Sequence, residues 1–593
     1  MDRLFSKKWL PFALLGLATL LVWGQTVQFG FVWDDEYFIR DLQSIRSLRH
    51  IPEMFYRLDA QATLPQDFRV FRPVRTAHYA LLYFLAGRET PPPWIYHLAN
   101  VFWHGCTAIM LYLVLTQLLP RLRPILAAGE SRLWSLLIAL AFAVHPVVSE
   151  VVCWAKSLDD ILAAFFALAA LRELLRAPEN EAAKWRGPLL FALAVYSKES
   201  AVPFAILPFL TFHKIHHRSW KQSAVRAAPF CFIAAFYMAH RHLVIGRSSQ
   251  TEPLSGSYGQ TLVDMLPVVL KYFRLLWGIP PFCIDYSFMR RGGSVHSAGA
   301  LGGLAVLVIL ALAGIVAWRK HGMELAGFGL LWTGLFLLPV SNLLPMMQYM
   351  AERFLYLPLI GWLIAFGGIA LALPRQRLVR PATLLLVCLW AVAAWNRSWI
   401  WRDGVTLFVA SSQQGPKTPR VENNAVAAIL RLPHIEKFFS YNPRTEKLDV
   451  LGAVDPASAA SLLRTFEEAY RLFPEHPKVL TCYGITLAVT GQPAQAVPLL
   501  ERAARLEPQN LDYRLNLARA ELDANELPAA QATLDAASVL GPDNAGVLRL
   551  RFKYDWLTTN YPAARDVISR LNQIAPSPEN AHWLSEVEQK LKP

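Results

Sequence analysis

The chain has 593 residues, of which 54% are hydrophobic, and it carries a formal net charge of +14 at pH 7. It is too long for one domain and too apolar for a soluble protein, so we predict a polytopic membrane protein with an appended domain. The Lys and Arg residues lie mostly in short loops between apolar runs, which indicates positive-inside topology rather than binding to nucleic acid. The six cysteines form no CxxC pair and no metal-ligand spacing, which argues against a disulfide framework and a zinc site.

The first apolar run spans residues 9–23 and follows Arg3, Lys7 and Lys8. No small-residue cleavage site follows this run, so we interpret it as a retained anchor with a cytoplasmic N-terminus. Three consecutive carboxylates at residues 34–36 come shortly after the anchor. They are therefore expected on the outer side of the membrane.

Further apolar runs, separated by basic loops, bring the predicted number of membrane spans to about 11. These runs lie at 94–119, 133–148, 158–175, 188–212, 225–245, 298–318, 325–344, 354–373 and 381–395. Residues 197–200 interrupt the run at 188–212, which we interpret as two short helices that meet at an outward-facing turn. The other long external loops are 26–93 and 246–297. An odd number of spans places the C-terminal domain outside.

The C-terminal part is a repeat array. Pro474, Pro508, Pro542 and Pro576 follow one another at a spacing of 34 residues, with small and large apolar residues at the positions that two packed antiparallel helices require. This pattern resembles tetratricopeptide repeats, which stack into a solenoid with a concave binding surface. We therefore predict three parts: a membrane domain at 1–400, a linker at 401–455 and repeats at 456–593.

Polar and ionisable side chains within or beside the apolar runs map mostly to the predicted outer leaflet. His97, Asn100 and His104 fall on one helix face because their spacing is i, i+3 and i+7. Any one of these residues could be a cap, an anchor or a satisfied buried group. Ionisable groups at membrane depth are costly unless they are paired or wet, so their convergence on one leaflet is better explained by a single polar cavity.

Short motifs along the chain carry a family resemblance. They are Trp33-Asp34-Asp35, Phe71-Arg72-Pro73, Tyr96-His97-Leu98-Ala99-Asn100, Val144-His145-Pro146 with Glu150, Ser197-Lys198-Glu199, Asp285-Tyr286-Ser287, Ala351-Glu352-Arg353-Phe354-Leu355-Tyr356-Leu357-Pro358 and Asn396-Arg397-Ser398-Trp399. In this order they resemble the transmembrane and tetratricopeptide-repeat O-mannosyltransferases, which belong to the GT-C glycosyltransferases. The chain departs from that pattern in its short repeat array and in a third carboxylate, Glu36.

The resemblance implies an all-α polytopic GT-C membrane fold with an extracytoplasmic tetratricopeptide-repeat solenoid. It also implies an inverting glycosyltransferase that moves a sugar, mannose or another hexose, from a polyprenyl-phosphate donor to Ser or Thr hydroxyls of extracytoplasmic proteins. Asp34 or Asp35 is then the base, in preference to Glu36, and the sequence does not choose between the first two. Cations among Arg353, Lys198 and Arg72 are expected to hold the donor phosphate.

Nine further polar residues in or next to the motifs are expected to line or support the pocket. They are Glu36, His97, Asn100, His145, Glu150, Glu199, Asp285, Tyr286 and Glu352. Asp34, Asp35 and His97 are also the residues that could ligate a divalent metal ion, although no spacing demands one.

Other readings of the sequence stay open. A related GT-C transferase could act on a lipid or polysaccharide and use the repeats only for docking, or the chain could be a membrane-anchored scaffold without catalysis. A transporter is disfavoured because no inverted repeat is visible. We expect the lipid-linked donor in the membrane, an acceptor or partner protein on the repeats, and no nucleic acid. Compact loops favour a bacterial inner membrane with periplasmic repeats over the endoplasmic reticulum.

Overall fold

The computed structural model describes residues 7–63, 69–87, 89–176, 181–246, 252–286, 292–343, 345–346, 348–414, 418–442, 447–450 and 456–592. Arg3 and the motif residue Ser287 lie outside these described residues. The chain divides into two compact units, Met1–Arg420 and Val421–Pro593. The predicted all-α class is confirmed, with one short antiparallel pair of strands, β1 (Phe439–Asn442) and β2 (Lys447–Val450), among the described residues.

The first unit is built from helices of very different lengths. They are α1 (Leu10–Trp23), α2 (Pro73–Ala86), α3 (Pro93–Leu122), α4 (Ala128–Ala143), α5 (Ser149–Cys153), α6 (Leu158–Arg176), α7 (Glu181–Ser197), α8 (Leu207–Leu210), α9 (Trp220–Ile245), α10 (Tyr258–Leu276), α11 (Ala298–Arg319), α12 (Glu324–Leu337), α13 (Tyr356–Ala372), α14 (Gln376–Ser398) and α15 (Gly404–Gln414). The next helix, α16 (Pro419–Leu430), begins in this unit and continues into the second. Short 3-10 turns connect several of them, including Ala155–Ser157 between α5 and α6.

This unit is a membrane domain. Within the described residues, six helical segments are long and apolar enough to span a bilayer: Leu10–Gln28, Pro93–Leu122, Trp220–Ile245, Ala298–Arg319, Glu352–Ala372 and Gln376–Trp401. A seventh is reached if the pair Ala128–Ala143 and Pro146–Cys153, bent by 44°, forms one broken span. The predicted count of about 11 is therefore not confirmed. Two predicted spans fall short for physical reasons: α6 begins with two carboxylates, and α7 ends at Ser197, where the interruption was predicted.

Close helix packing fixes the segment that carries Arg353. A Cβ atom on Gly361 of α13 would lie 2.5 Å from the carbonyl oxygen of Gly329 in α12, so only glycine permits this approach. The Trp332 indole N–H of α12 also donates a hydrogen bond of 2.8 Å to the carbonyl of Leu357. Small residues at helix contacts are how membrane helices gain van der Waals packing without a hydrophobic driving force. The N-terminal end of α13 is therefore held rigidly.

The second unit contains a helical repeat with a regular period. Its helices after β2 are α17 (Pro456–Leu472), α18 (Pro477–Val489), α19 (Pro493–Leu506), α20 (Leu511–Asp523), α21 (Leu527–Leu540), α22 (Ala545–Leu557), α23 (Tyr561–Ile574) and α24 (Pro578–Lys590). The turns inside successive repeats carry a left-handed residue at equivalent positions, Gly491 (φ 84°), Asn525 (φ 61°) and Thr559 (φ 58°). The repeat predicted from the proline spacing is thus visible in the backbone itself.

Candidate active site

The acidic turn, residues Trp33 to Asp35, follows the first membrane helix. Trp33 has a φ of 54°, which residues other than glycine rarely adopt. The Asp35 side chain is fully buried, and each of its oxygens accepts a backbone N–H: Oδ2 from Val32 at 2.9 Å and Oδ1 from Lys156 at 2.8 Å. Asp35 therefore closes the acidic turn and fastens it to the segment between α5 and α6.

Asp34 differs from its neighbour in having unoccupied oxygens. Its side chain is partly exposed, and neither oxygen accepts a hydrogen bond from the part of the chain that the structure describes. Burial raises the pKa of Asp34 above the ordinary aspartate value, although the charges of Lys156, Arg353 and Arg420 act in the opposite direction. Asp34 is thus a carboxylate with free acceptor capacity beside three cations.

Burial has a larger effect on Asp35. It raises the pKa of Asp35 to about 8, even though the two backbone N–H donors and the Lys156 ammonium favour the ionised carboxylate. The adjacent Asp34 carboxylate adds to the increase. The two aspartates, which the sequence could not distinguish, therefore occupy different environments.

Stacked indoles line the acidic turn. The rings of Trp33 and Trp154 stack with centroids 4.8 Å apart and planes 9° apart. The guanidinium of Arg420 lies 5.5 Å from the Trp33 ring centre, while Arg353 and the Lys156 ammonium lie 5.6 and 4.7 Å from that of Trp154. Such cation–π contacts fix the three cations against an aromatic surface next to Asp34.

Arg72 and Lys198, both predicted to bind phosphate, belong to a cluster of charges at the start of α6. The Arg72 guanidinium pairs with Asp159 and, through Nη2 and Nε, with Glu199 at 2.7 and 3.2 Å. Lys198 pairs with Asp160, and its ammonium lies 3.9 Å from Asp159. Both cations are therefore already neutralised by carboxylates.

Arg353, the third predicted phosphate ligand, is held by Glu150. The backbone N–H of Arg353 donates to Glu150 Oε2 at 2.8 Å, and its guanidinium pairs with Glu150 Oε1. The guanidinium also donates to Gln348 Oε1 at 2.7 Å. Arg353 is thus fixed in place beside Asp34, and part of its hydrogen-bonding capacity is in use.

The polar face predicted on α3 holds the loops that carry the acidic turn and Trp154. His97 Nε2 donates to the carbonyl of Gly30 at 3.3 Å, just before the acidic turn. Asn100 Nδ2 donates to the carbonyl of Trp154 at 2.8 Å. Both side chains are fully buried. They support the candidate site from the helix behind it.

The loop at 246–297, which was predicted to be external, is tied to two membrane helices by Glu352. Its Oε2 pairs with Arg397 at 2.7 Å, and its Oε1 accepts the hydroxyl hydrogen of Tyr286 at 3.0 Å. In the same loop, Asp285 Oδ2 accepts a hydrogen bond of 2.9 Å from the hydroxyl of Thr418. These contacts hold together the predicted residues Asp285, Tyr286 and Glu352.

Two further predicted pocket residues have local contacts. Glu36 forms an ion pair of 3.0 Å with Arg40, one helical turn further along the chain. His145 Nδ1 accepts the backbone N–H of Val147 at 3.3 Å, and its ring lies 4.4 Å from that of Trp390.

The predicted metal ligands do not form a ligand set. Both oxygens of Asp35 are used by backbone N–H groups, and His97 Nε2 contacts a carbonyl. Among the described residues, no group of three His, Cys, Asp or Glu side chains is arranged to hold a metal ion.

Several charged residues of the site were not predicted from the sequence. Lys156, Asp159 and Asp160 form a short charged stretch, Lys-Ser-Leu-Asp-Asp, at the start of a run with the hydropathy of an apolar span. Ionisable residues inside a predicted span are a signal that could have identified Asp159 and Asp160, whereas Lys156 lies just before the span. Arg420 gave no such signal, because it lies in a polar segment where a basic residue is unremarkable.

Comparisons with known proteins give related chains over most of the length. The chain is 22% identical to the human protein O-mannosyl-transferase TMTC3 over 89% of this chain and 59% of that protein. It is also 22% identical to protein O-mannosyl-transferase Tmtc3 of Drosophila melanogaster, over 95% of this chain and 66% of that protein. The chain thus spans 59% and 66% of the lengths of these two relatives.

Two further comparisons concern the repeats and the fold. The tetratricopeptide repeat family matches residues 487–551. Among solved structures, an archaeal oligosaccharyltransferase, AglB from Archaeoglobus fulgidus, is similar with a TM-score of 0.34 and 13% identity, over 73% of this chain and 59% of that chain. A score this low does not define a common fold. The resemblance read from the motifs is confirmed by these comparisons: the chain is similar over most of its length to proteins named protein O-mannosyl-transferases, and its residues 487–551 match the tetratricopeptide repeat.

Proposed function

We propose that this protein is an inverting membrane glycosyltransferase that transfers a hexose, such as mannose, from a polyprenyl-phosphate donor to Ser or Thr hydroxyls of extracytoplasmic proteins. One observation carries the proposal: Asp34 offers unoccupied carboxylate oxygens beside Lys156, Arg353 and Arg420. In such a site the carboxylate can accept a proton while the neighbouring cations bind a phosphate. The names of the relatives support the type of transfer.

In this mechanism Asp34 is the general base. The acceptor hydroxyl attacks the anomeric carbon of the sugar from the side opposite the phosphate, and its proton passes to Asp34. The bond between the anomeric carbon and the phosphate oxygen breaks, and its electron pair stays on the phosphate. A raised pKa makes Asp34 a stronger base than an ordinary aspartate, which favours transfer of the hydroxyl proton to it.

Asp35 positions this base without taking part in proton transfer. Its two bonds to backbone N–H groups fix the conformation of the acidic turn and therefore the direction of the Asp34 side chain. Preorganised geometry of this kind contributes to rate because the reacting groups need no rearrangement.

Arg353 is the predicted phosphate ligand that lies beside Asp34. Glu150 holds its backbone and its guanidinium, so that its remaining N–H groups can stabilise the negative charge on the leaving phosphate. In this proposal Arg72 and Lys198 act through the charge cluster at the start of α6, which shapes the electrostatic field around the donor.

The repeats give the proposal its class of acceptor. Tetratricopeptide units present a groove that suits an extended peptide, so we assign them to binding the acceptor protein or a partner that delivers it. From the positive-inside pattern we propose a cytoplasmic N-terminus. An odd number of spans, as in the seven reached with the bent pair, then puts the repeats outside, and the compact loops favour the periplasm of a bacterial inner membrane.

The proposal is tested by glycopeptide mass spectrometry of extracytoplasmic proteins from matched cells. The cells carry the wild type, Asp34→Asn, or the control Asp41→Asn, which changes an exposed aspartate shortly after the acidic turn. We expect a hexose-sized mass on Ser or Thr in the wild type and the control that is absent in Asp34→Asn. Identical glycopeptides in all three strains would contradict the proposal, and a difference confined to lipids or polysaccharides would assign another acceptor.

A further inference from the structure

Lys156 is a buried cation that forms no direct ion pair with the described residues. The residue is only 7% exposed, and its ammonium forms no ion pair or hydrogen bond with the described part of the chain. The neighbouring Arg72, Lys198 and Arg353 each pair with a carboxylate. Among the described residues, Lys156 therefore differs from these three cations in forming no ion pair.

The surroundings of Lys156 only partly stabilise its charge. The ammonium lies 4.7 Å from the ring centre of Trp154 and 5.5 Å from that of Phe38. Aromatic faces attract cations, but they replace only part of the lost hydration. Burial accordingly lowers the pKa of Lys156 to about 7. The Asp159 carboxylate raises it, and the charges of Arg72, Lys198 and Arg353 lower it further.

The backbone of Lys156 is fixed on both sides. Its N–H donates to Asp35, and its carbonyl accepts the Tyr79 hydroxyl at 2.9 Å. The residue is therefore held in place directly beside the acidic turn. An unpaired, buried and immobilised cation at this position is what a small anionic group requires for binding.

We propose that Lys156 is the principal ligand of the donor phosphate, with Arg353 beside it. This inference rests on the proposed function, because it takes the bound phosphate to be the leaving group of the donor. When the anomeric bond breaks, the electron pair goes to the phosphate oxygen. Lys156 keeps its protons and donates hydrogen bonds to the phosphate, while the acceptor proton goes to Asp34.

The test is binding of farnesyl phosphate to the purified full-length protein in detergent, measured by the shift in Tm and by titration. Two matched probes serve as controls: farnesol, which lacks the phosphate, and inorganic phosphate, which lacks the prenyl chain. The variants are Lys156→Met, Lys156→Arg and Lys478→Met, the last removing a lysine of equal exposure from the repeats. We expect Lys156→Met to weaken binding at least tenfold, whereas Lys156→Arg and Lys478→Met retain it.

A structural role for Lys156 makes a different prediction. Because Lys156→Met removes an unpaired buried charge, its Tm without ligand should equal or exceed that of the wild type. The assignment would be overturned if Lys156→Met lost binding together with a marked fall in Tm, farnesyl phosphate did not restore that Tm, and Lys156→Arg showed the same two losses. Equal binding of farnesyl phosphate by the wild type and Lys156→Met would also overturn it, while leaving the proposed function intact.

The remaining outcomes separate the phosphate ligand from the donor class. A Lys156-dependent response to inorganic phosphate, with no gain from the prenyl chain, would support Lys156 as the phosphate ligand and contradict a lipid-linked donor. If no phosphate-bearing probe binds the wild type, both assignments fail. Asp34→Asn should bind farnesyl phosphate at least as tightly as the wild type, because it removes a negative charge beside the phosphate ligands, and it should lose only transfer.

Discussion

Replacing Asp35 by asparagine makes the stability of the membrane unit respond differently to pH. The native pKa of Asp35 is about 8, and the ordinary aspartate value is 3.8. A carboxyl group whose pKa is raised by folding stabilises the native state fully below the ordinary value, and this contribution is lost as the pH rises towards 8. An asparagine side chain does not titrate, so the unfolding free energy of the variant does not fall with pH through this residue.

The size of the effect follows from the two pKa values. Between pH 5 and 7 the native Asp35 stays largely protonated, while an unfolded aspartate is ionised. The wild type therefore loses about 1.4 kcal/mol of unfolding free energy per pH unit from this group, or about 2.7 kcal/mol over the interval. Against this, asparagine leaves one buried N–H without an acceptor, which costs about 1–3 kcal/mol at every pH.

The assay is thermal or denaturant unfolding of the purified protein in one detergent at pH 5, 6 and 7. We expect Asp35→Asn to be less stable than the wild type at pH 5, and the difference in unfolding free energy to shrink as the pH rises. Asp41→Asn, which changes an exposed aspartate, should follow the wild type at all three values. Parallel curves for Asp35→Asn and the wild type would refute the environment that we assign to Asp35.

Other predictions concern packing, ion pairing and the repeats. Gly361→Ala should destabilise the membrane unit by about 1–3 kcal/mol because its Cβ would lie 2.5 Å from a backbone oxygen, whereas Gly334→Ala, with open space around it, should be neutral in the same unfolding assay. Glu150→Gln should lower the unfolding free energy by about 3 kcal/mol, since it removes a buried carboxylate and leaves the Arg353 guanidinium, only 11% exposed, without its counter-charge; an unchanged Tm would contradict the ion pair. In the repeats, Thr559→Gly should stabilise by about 1 kcal/mol and Gly491→Ala should destabilise, because both positions have a positive φ; equal Tm values would rule out this strain.

The repeat unit was predictable from sequence because its order is local. Each repeat uses the same residues to form the same two helices, so the period seen in the prolines reappears in the helix starts at Pro477, Leu511 and Ala545. The membrane spans were less predictable. Length and hydropathy do not reveal that the carboxylates of Asp159 and Asp160 at the start of α6 pair with cations from distant parts of the chain.

The distinction between Asp34 and Asp35 could not be made from sequence. The residues are chemically identical and adjacent, and what separates them is a backbone N–H from Lys156, far along the chain. Lys156 itself gave no motif, because a lone lysine in a short turn has the pattern of a topological marker. Only its burial and its lack of a carboxylate partner among the described residues single it out.

The central claim, that Asp34 is the base, is tested most directly by the single-turnover rate of hexose transfer from a polyprenyl-phosphate hexose to a Ser/Thr peptide. Purified wild type, Asp34→Asn and Asp41→Asn are compared at saturating donor. Loss of a general base predicts a rate lower by about 10²–10⁴-fold in Asp34→Asn, with unchanged Tm and with farnesyl phosphate binding no weaker than in the wild type, while Asp41→Asn matches the wild type. A rate for Asp34→Asn within tenfold of the wild type would contradict the claim.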